Sequence, residues 1–440
     1  MRKSVWLALF LGLLFGWAVT ASAVQLAVHG EFGSKLQTTN STGMIGQGGA
    51  DFTINNVNTN DEYNGQDLDD TWAELQYRLW TVATSDDGNV KGVWAMEYGT
   101  VNFGQSGALE FANDEGRSFE MRLAYVDFQL PYFQSENRLA VGLQEVDISK
   151  WLWAETAAGI RNYGSFNVGA TKVAYQIGWA RENDLMDNTG ANNDDTDFWF
   201  AKVDFNLKDI AKVDNFDIGL FAVYANDSEN SEQPWWLGGE IQFVGFKGLE
   251  FEGTFIYECG DGLNNADISA WFAAASVAYK WTDQFKTSFI FWYASGDDNA
   301  TDNDQDNYTA IETDTYGSVI LFEDATFDDA YYASSNPYLN DLGFLMFRLR
   351  ADYQATPKLS LAAAVNYMMF DEDVENTTYN IKDDSIGWEI DGYAKYELYP
   401  GLTVDLTAGC LFPDDALDAY AANGDADTMY RVSLGVTYSF

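Results

Sequence analysis

Tyr430-Arg-Val-Ser-Leu-Gly-Val-Thr-Tyr-Ser-Phe440 closes the chain, and its reading decides the fold. Tyr430, Val432, Leu434, Val436, Tyr438 and Phe440 share one face, with Arg431, Ser433, Gly435, Thr437 and Ser439 on the other. Side chains of a strand alternate between two faces, so this period of two is a strand with an apolar and a polar side. Leu345, Phe347, Leu349, Ala351 and Tyr353 alternate in the same way with Met346, Arg348, Arg350, Asp352 and Gln354. Ile386, Trp388, Ile390, Gly392, Ala394, Tyr396 and Leu398 alternate with Gly387, Glu389, Asp391, Tyr393, Lys395 and Glu397. Residues 249–258, 271–281, 359–369 and 402–412 repeat the rhythm. One such strand also suits a soluble sheet, but many of them without a helical core pattern describe a wall with lipid on one side and water on the other.

The chain begins with Arg2 and Lys3, an apolar run over 5–19 and Ala21-Ser22-Ala23, the layout of a cleavable export signal. Residues 1–23 are expected to be removed, leaving 24–440 as a single barrel domain. The formal net charge is −44, and −46 without Arg2 and Lys3. So acidic a chain repels nucleic acid and anionic lipid. Its 47% hydrophobic and 16% aromatic residues exclude a disordered acidic protein. No later apolar stretch is long enough for a spanning helix, so the mature chain crosses a bilayer as strands or not at all.

His29 is the only histidine, which leaves a zinc site or a histidine-based triad almost no material, so no enzyme is expected. Cys259 and Cys410 form no CxxC or CxxCH motif. Both continue outward rows on strands about six apart, too far for the Cα separation of about 7 Å that a disulfide allows. Two free thiols are expected.

Connections come in two kinds. Short ones lie at 131–137, 208–215, 246–248, 282–284, 356–358 and 399–401. Long, acid- and Asn-rich ones lie at 39–69, 104–116, 183–197, 226–233, 260–267, 295–341, 371–384 and 413–427. In membrane barrels short turns face the periplasm and long loops the outside. Strand direction, counted back from Phe440, fails between Gln144 and Lys172 unless a strand is placed around 160–165. With it the wall is an all-β, transmembrane, antiparallel up-and-down barrel of about eighteen strands, with sixteen as the alternative count.

Arg122-Leu-Ala-Tyr-Val-Asp-Phe-Gln-Leu-Pro131 with Leu139-Ala-Val-Gly-Leu-Gln144 resembles a strand pair of Gram-negative outer-membrane porins. Gly387-Trp-Glu-Ile-Asp-Gly-Tyr-Ala-Lys-Tyr396, Gly401-Leu-Thr-Val-Asp-Leu-Thr-Ala-Gly409 and Leu411-Phe-Pro-Asp-Asp415 are similar to the closing strands of alginate-export-like barrels and deltaproteobacterial porins. Phe440, with Tyr438 two before it, resembles the barrel-assembly signal of these proteins. The resemblance implies a pore in the cell outer membrane, in contact with its lipid, for passive diffusion of small polar or ionic solutes. In the alginate exporters it further implies a strongly basic lumen, whereas the inward rows here mix signs.

Those rows give the candidate pore-lining residues: Glu74 and Arg78 with Gln76 between them, Glu120 and Arg122, Arg348 and Arg350, Glu389, Asp391, Lys395 and Glu397, and Arg431. Acids and bases on different walls set up a transverse field that orients dipolar solutes, although any wet barrel also needs polar inward residues. Acid-rich outer loops lead to an expected preference for cations. Asp302, Asp304 and Asp306 have the first three spacings of a calcium loop, without its turn glycine or its correctly placed glutamate, so loop-bound calcium is the one cofactor to examine. Residues 148–158, with Trp151-Leu-Trp153, break the alternation. They suit a short helix folded into the pore, a contact in a homo-oligomer such as a trimer, or a cover on the rim. A sleeve around a periplasmic partner such as a multihaem cytochrome, or a polysaccharide-export channel, are the alternative functions.

Overall fold

The computed structural model describes residues 24–41, 70–103, 119–131, 135–181, 196–207, 213–228, 231–245, 247–263, 266–299, 302–327, 334–339, 341–421 and 423–440. The export signal at 1–23 and most of the connections at 39–69, 104–116 and 183–197 lie outside them.

Eighteen antiparallel strands, from β1 (Val24–Thr39) to β18 (Met429–Ser439), pair with their neighbours in chain order, and β18 pairs back onto β1. Gly30 and Phe440 seal that seam by exchanging backbone hydrogen bonds of 3.1 and 3.0 Å. Closure leaves no strand edge, which is what hydrocarbon demands of a backbone that must satisfy itself. The two-residue segment Asp304–Gln305 pairs with the end of β12 (Asp267–Lys280) and is not part of the wall.

The alternation read from the sequence holds in three dimensions. On β18 the outward Tyr430, Leu434, Val436 and Tyr438 are exposed, while Arg431 and Ser433 are buried. Aromatic side chains outside the wall gather at its two ends, as Trp199, Tyr224 and Trp235 in one cluster and Tyr279 with Trp281 in another. Such belts mark the two membrane interfaces. Cys259, on β11 (Leu249–Asp261), and Cys410, on β17 (Leu402–Pro413), are both free thiols.

The strand expected around 160–165 is β6 (Trp153–Val168), which settles the count at eighteen rather than sixteen. Two other expectations change. Ile386 is not lipid-facing but wholly buried. In β16 (Ile381–Tyr399) Gly387 adopts a φ of 127°, and β15 (Leu359–Asn376) pairs Met368 with Gly387 but Met369 with Ser385. The skipped Ile386 is a bulge that turns the side chain to the other face. The long connection placed at 371–384 is largely strand, because β15 and β16 run on past the membrane to a turn at 377–380.

The largest departure from a simple wall is at β5 (Glu136–Ser149) and β6. β4 (Phe119–Gln129) pairs with β5 as far as Ala124 and Leu143, and β7 (Thr171–Arg181) pairs with β6 as far as Ala158. Beyond those rungs the hairpin pairs with itself, from Gln144 with Ala157 to Ser149 with Trp153. This outer half leaves the wall and folds into the lumen, where the hydrophobic core of the molecule sits.

Candidate functional site: the barrel lumen

Trp151, Leu152 and Trp153 form the tip of the inward hairpin, and all three are buried. Trp153 packs on Phe198 and Phe200 of β8 (Thr196–Leu207), with ring centroids 4.9 and 5.7 Å away. Trp151 reaches Phe272 of β12 and Trp292 of β13 (Phe285–Ala294), each at 5.1 Å. The hairpin therefore crosses the lumen as a septum. Each large side chain buried here contributes about 1.5–3 kcal/mol, so the septum is held like a protein core. The segment 148–158 is accordingly neither a helix nor a subunit contact. The trimer expectation, drawn by analogy with general porins, loses its suspected contact surface, because Trp151-Leu-Trp153 packs inside its own barrel.

Residues 308–327 of the long connection after β13 lie against this septum and inside the wall, whereas the acidity of the connection had suggested that all of it stands outside. Trp153 pairs in parallel with Glu312, and the Ile311 N–H donates to the Leu152 carbonyl at 2.8 Å. The Tyr308 hydroxyl donates to the Trp151 carbonyl at 2.7 Å, and burial raises its pKa well above the usual range. Glu258 accepts from the Thr309 amide and hydroxyl at 2.8 and 2.6 Å. Farther on, Val319, Ile320, Leu321 and Phe322 are buried, an apolar run inside an otherwise acidic connection. Glu389 holds that run by accepting from Ser318 Oγ and the Val319 amide, both at 2.7 Å. Arg348 pairs with Asp324 at 3.0 Å and donates to the Tyr393 hydroxyl at 3.0 Å. Lys35 closes the row by donating to the Thr326 carbonyl at 2.5 Å, with the Phe327 ring 4.7 Å beneath it.

Several expected pore-lining residues thus point inward but meet protein rather than water. Glu389 and Arg431 have no exposed surface, and Arg348 and Asp391 only 2%. Asp391 accepts from Asn366 Nδ2 at 2.8 Å. Glu74, also buried, accepts from Gln37 and from the Trp72 indole at 2.6 and 2.9 Å.

The remaining candidates keep contact with water. Arg78 pairs with Glu97 of β3 (Val90–Asn102). Arg122 faces Glu97, Glu120 and Glu155 at 3.7, 3.5 and 3.4 Å. On the septum's short-turn side, a cavity of about 370 Å³ is lined by Lys150, Glu252, Trp292, Asp314, Arg348 and Arg350 among others. Arg350 also lines a second cavity, of about 580 Å³, with Lys280, Lys286, Asp352, Lys395 and Asp405. Lys395 is exposed and Glu397 half-buried near the turn at 400–401. Glu97, Glu155, Asp324 and Ser318 escaped the sequence reading; only the apolar run 319–322 signalled that this connection turns inward.

Among the described residues no group of three His, Cys, Asp or Glu side chains is arranged to hold a metal ion. Asp302 instead accepts from the Asp304 amide at 3.0 Å and from Asn299 Nδ2 at 3.0 Å. Asp306 is pushed up by partial burial first and by Asp297 and Asp304 next.

No protein-family model and no curated protein sequence matches this chain. Solved structures do, among them three outer-membrane proteins of Pseudomonas aeruginosa. The outer membrane protein OprD matches at 13% identity over 94% of this chain and 93% of its own, with a TM-score of 0.54. OpdK with vanillate matches at 12% over 94% and 98%, with a TM-score of 0.54. OccK2 (OpdF) in complex with glucuronate matches at 12% over 94% and 96%, with a TM-score of 0.53. The likeness is one of fold, that of a closed outer-membrane β-barrel.

Proposed function

We propose that the protein is an outer-membrane porin, a passive channel for small polar or ionic solutes that prefers cations. The carrying observation is the charged, hollow interior of the closed wall, where a cavity of about 580 Å³ that includes Arg350 opens at the short-turn end. A soluble barrel of this size has no use for a charged, hollow interior inside an apolar exterior. The septum narrows the passage, so conductance should be well below that of an open eighteen-strand wall. Cation preference is supported by the way several cations that face the lumen here already meet a carboxylate. Lys150 lies 3.1 Å from Glu252, Lys286 3.4 Å from Glu250, and Arg350 3.0 Å from Asp352. The chain as a whole carries a net charge of −44.

A second reading is passage of small organic acids, favoured by the vanillate and glucuronate held by two structural neighbours and by Arg350 and Lys395 on the lumen side. The reversal potential across a salt gradient decides between them. A cation-selective sign supports the first reading, and an anion-selective sign the second.

A further inference from the structure

We propose that solutes pass the septum off axis, on the side of the lumen walled by β2 (Asp70–Ser85) to β6, and that Arg122 sets which charge gets through. This rests on the channel reading above. On the far side of the hairpin the lumen is filled: Phe272, Trp292, Phe344, Met368 and Leu411 are at most 1% exposed. Trp151 packed on Trp292 caps the 370 Å³ cavity there, so that cavity is a side chamber.

On the near side, the septum meets β2, β3 and β4 through charged groups. Arg122 of β4 reaches Glu155 of the hairpin at 3.4 Å, together with Glu97 and Glu120 of the wall. The side chains of Arg78, Arg122 and Glu120 are 20, 18 and 48% exposed, so water already reaches this seam. A space of about 60 Å³ opens within it, lined by Arg78, Trp80, Arg122, Leu123, Glu145 and Thr156. Ionic side chains in contact with water rearrange far more readily than packed aromatic ones, which makes this the seam that yields.

Among the described residues, Glu97, Glu120, Glu145 and Glu155 outnumber the guanidinium groups of Arg78 and Arg122 at this seam. A small monovalent cation, an alkali ion or a primary ammonium, takes over carboxylate contacts of Arg122 as it passes. An anion meets the carboxylates as soon as Arg122 moves.

The test uses the full chain with Cys259→Ser and Cys410→Ser, both lipid-facing positions, in planar bilayers. Thr156→Cys treated with a cationic methanethiosulfonate is expected to lose most of its current. Ser276→Cys, in the side chamber, is expected to lose little. Arg122→Gln should raise the cation-to-anion permeability ratio and Glu155→Gln should lower it. Block at position 276 but not 156, or ratios unmoved by both charge variants, would overturn the route while leaving a channel. A parent protein without conductance would instead defeat the channel reading itself.

Discussion

Gly142 and Gly159 face each other across the β5–β6 ladder, one rung below the point where the hairpin leaves the wall. Gly142 has a φ of 129°, and a Cβ there would lie 2.3 Å from the Ala124 carbonyl oxygen. A Cβ on Gly159 would lie 2.2 Å from the Trp179 carbonyl oxygen. The pair lets β4 and β7 close in on the hairpin as it turns inward. Gly142→Ala should therefore cost about 1–3 kcal/mol of stability, the scale of backbone strain at such a φ. Gly92→Ala, with open space around its Cβ, is the control. Urea unfolding in lipid checks both, and equal midpoints would contradict the hinge.

Trp153→Ala removes an anchor of the septum. A loss of about 3–5 kcal/mol is expected, as for a large aromatic taken from a packed core. Unit conductance should rise at the same time, because the lumen loses filling. Trp199→Ala, on the lipid side, should leave conductance unchanged. Unaltered stability and conductance in Trp153→Ala would mean that the lumen is not packed at this level.

Glu389→Ala leaves Ser318 Oγ and the Val319 amide without their acceptor. Each orphaned buried group costs about 1–3 kcal/mol, so the inner run 318–327 should loosen. Limited proteolysis should cut it faster than in the parent, and Glu389→Gln, which keeps one acceptor oxygen, should fall between. Identical cleavage in all three would rule out Glu389 as the fastening.

Asp306 gives the outer connection a pH dependence of definite sign. Its carboxyl is pushed up by burial and by neighbouring aspartates, so the folded chain holds this proton more tightly than the unfolded one. Stability from this group is present at acidic pH and is lost as pH rises through the raised value. Hydrogen exchange over 297–308 should accordingly show more protection at mildly acidic pH than at neutral pH, and Asp306→Asn should flatten the difference. Protection that grows with pH across that window would reverse the sign.

The wall was legible in the sequence because period two exposes every second residue to lipid, and β18 shows it residue by residue. Direction parity even located β6 where local pattern was weak. The interior was not legible. Alternation says which residues face inward but not what fills the space, so Glu389, Asp391 and Arg431 read as pore lining although protein covers them. Trp151-Leu-Trp153 stood out as misplaced, yet apolar surface is the same signal whether it meets a partner or its own lumen. Gly387 shows the remaining limit, since one bulge reverses the facing of Ile386 without disturbing the pattern around it.

Ion selectivity of the purified protein in a planar bilayer tests the channel reading most directly. The expected result is a small unit conductance with a cation-selective reversal potential that is clear in dilute salt. It should shrink in concentrated salt, as the Debye length falls from about 10 Å at 0.1 M to about 3 Å at 1 M. Absence of any conductance would contradict the channel reading, and anion selectivity in dilute salt would contradict its preference for cations.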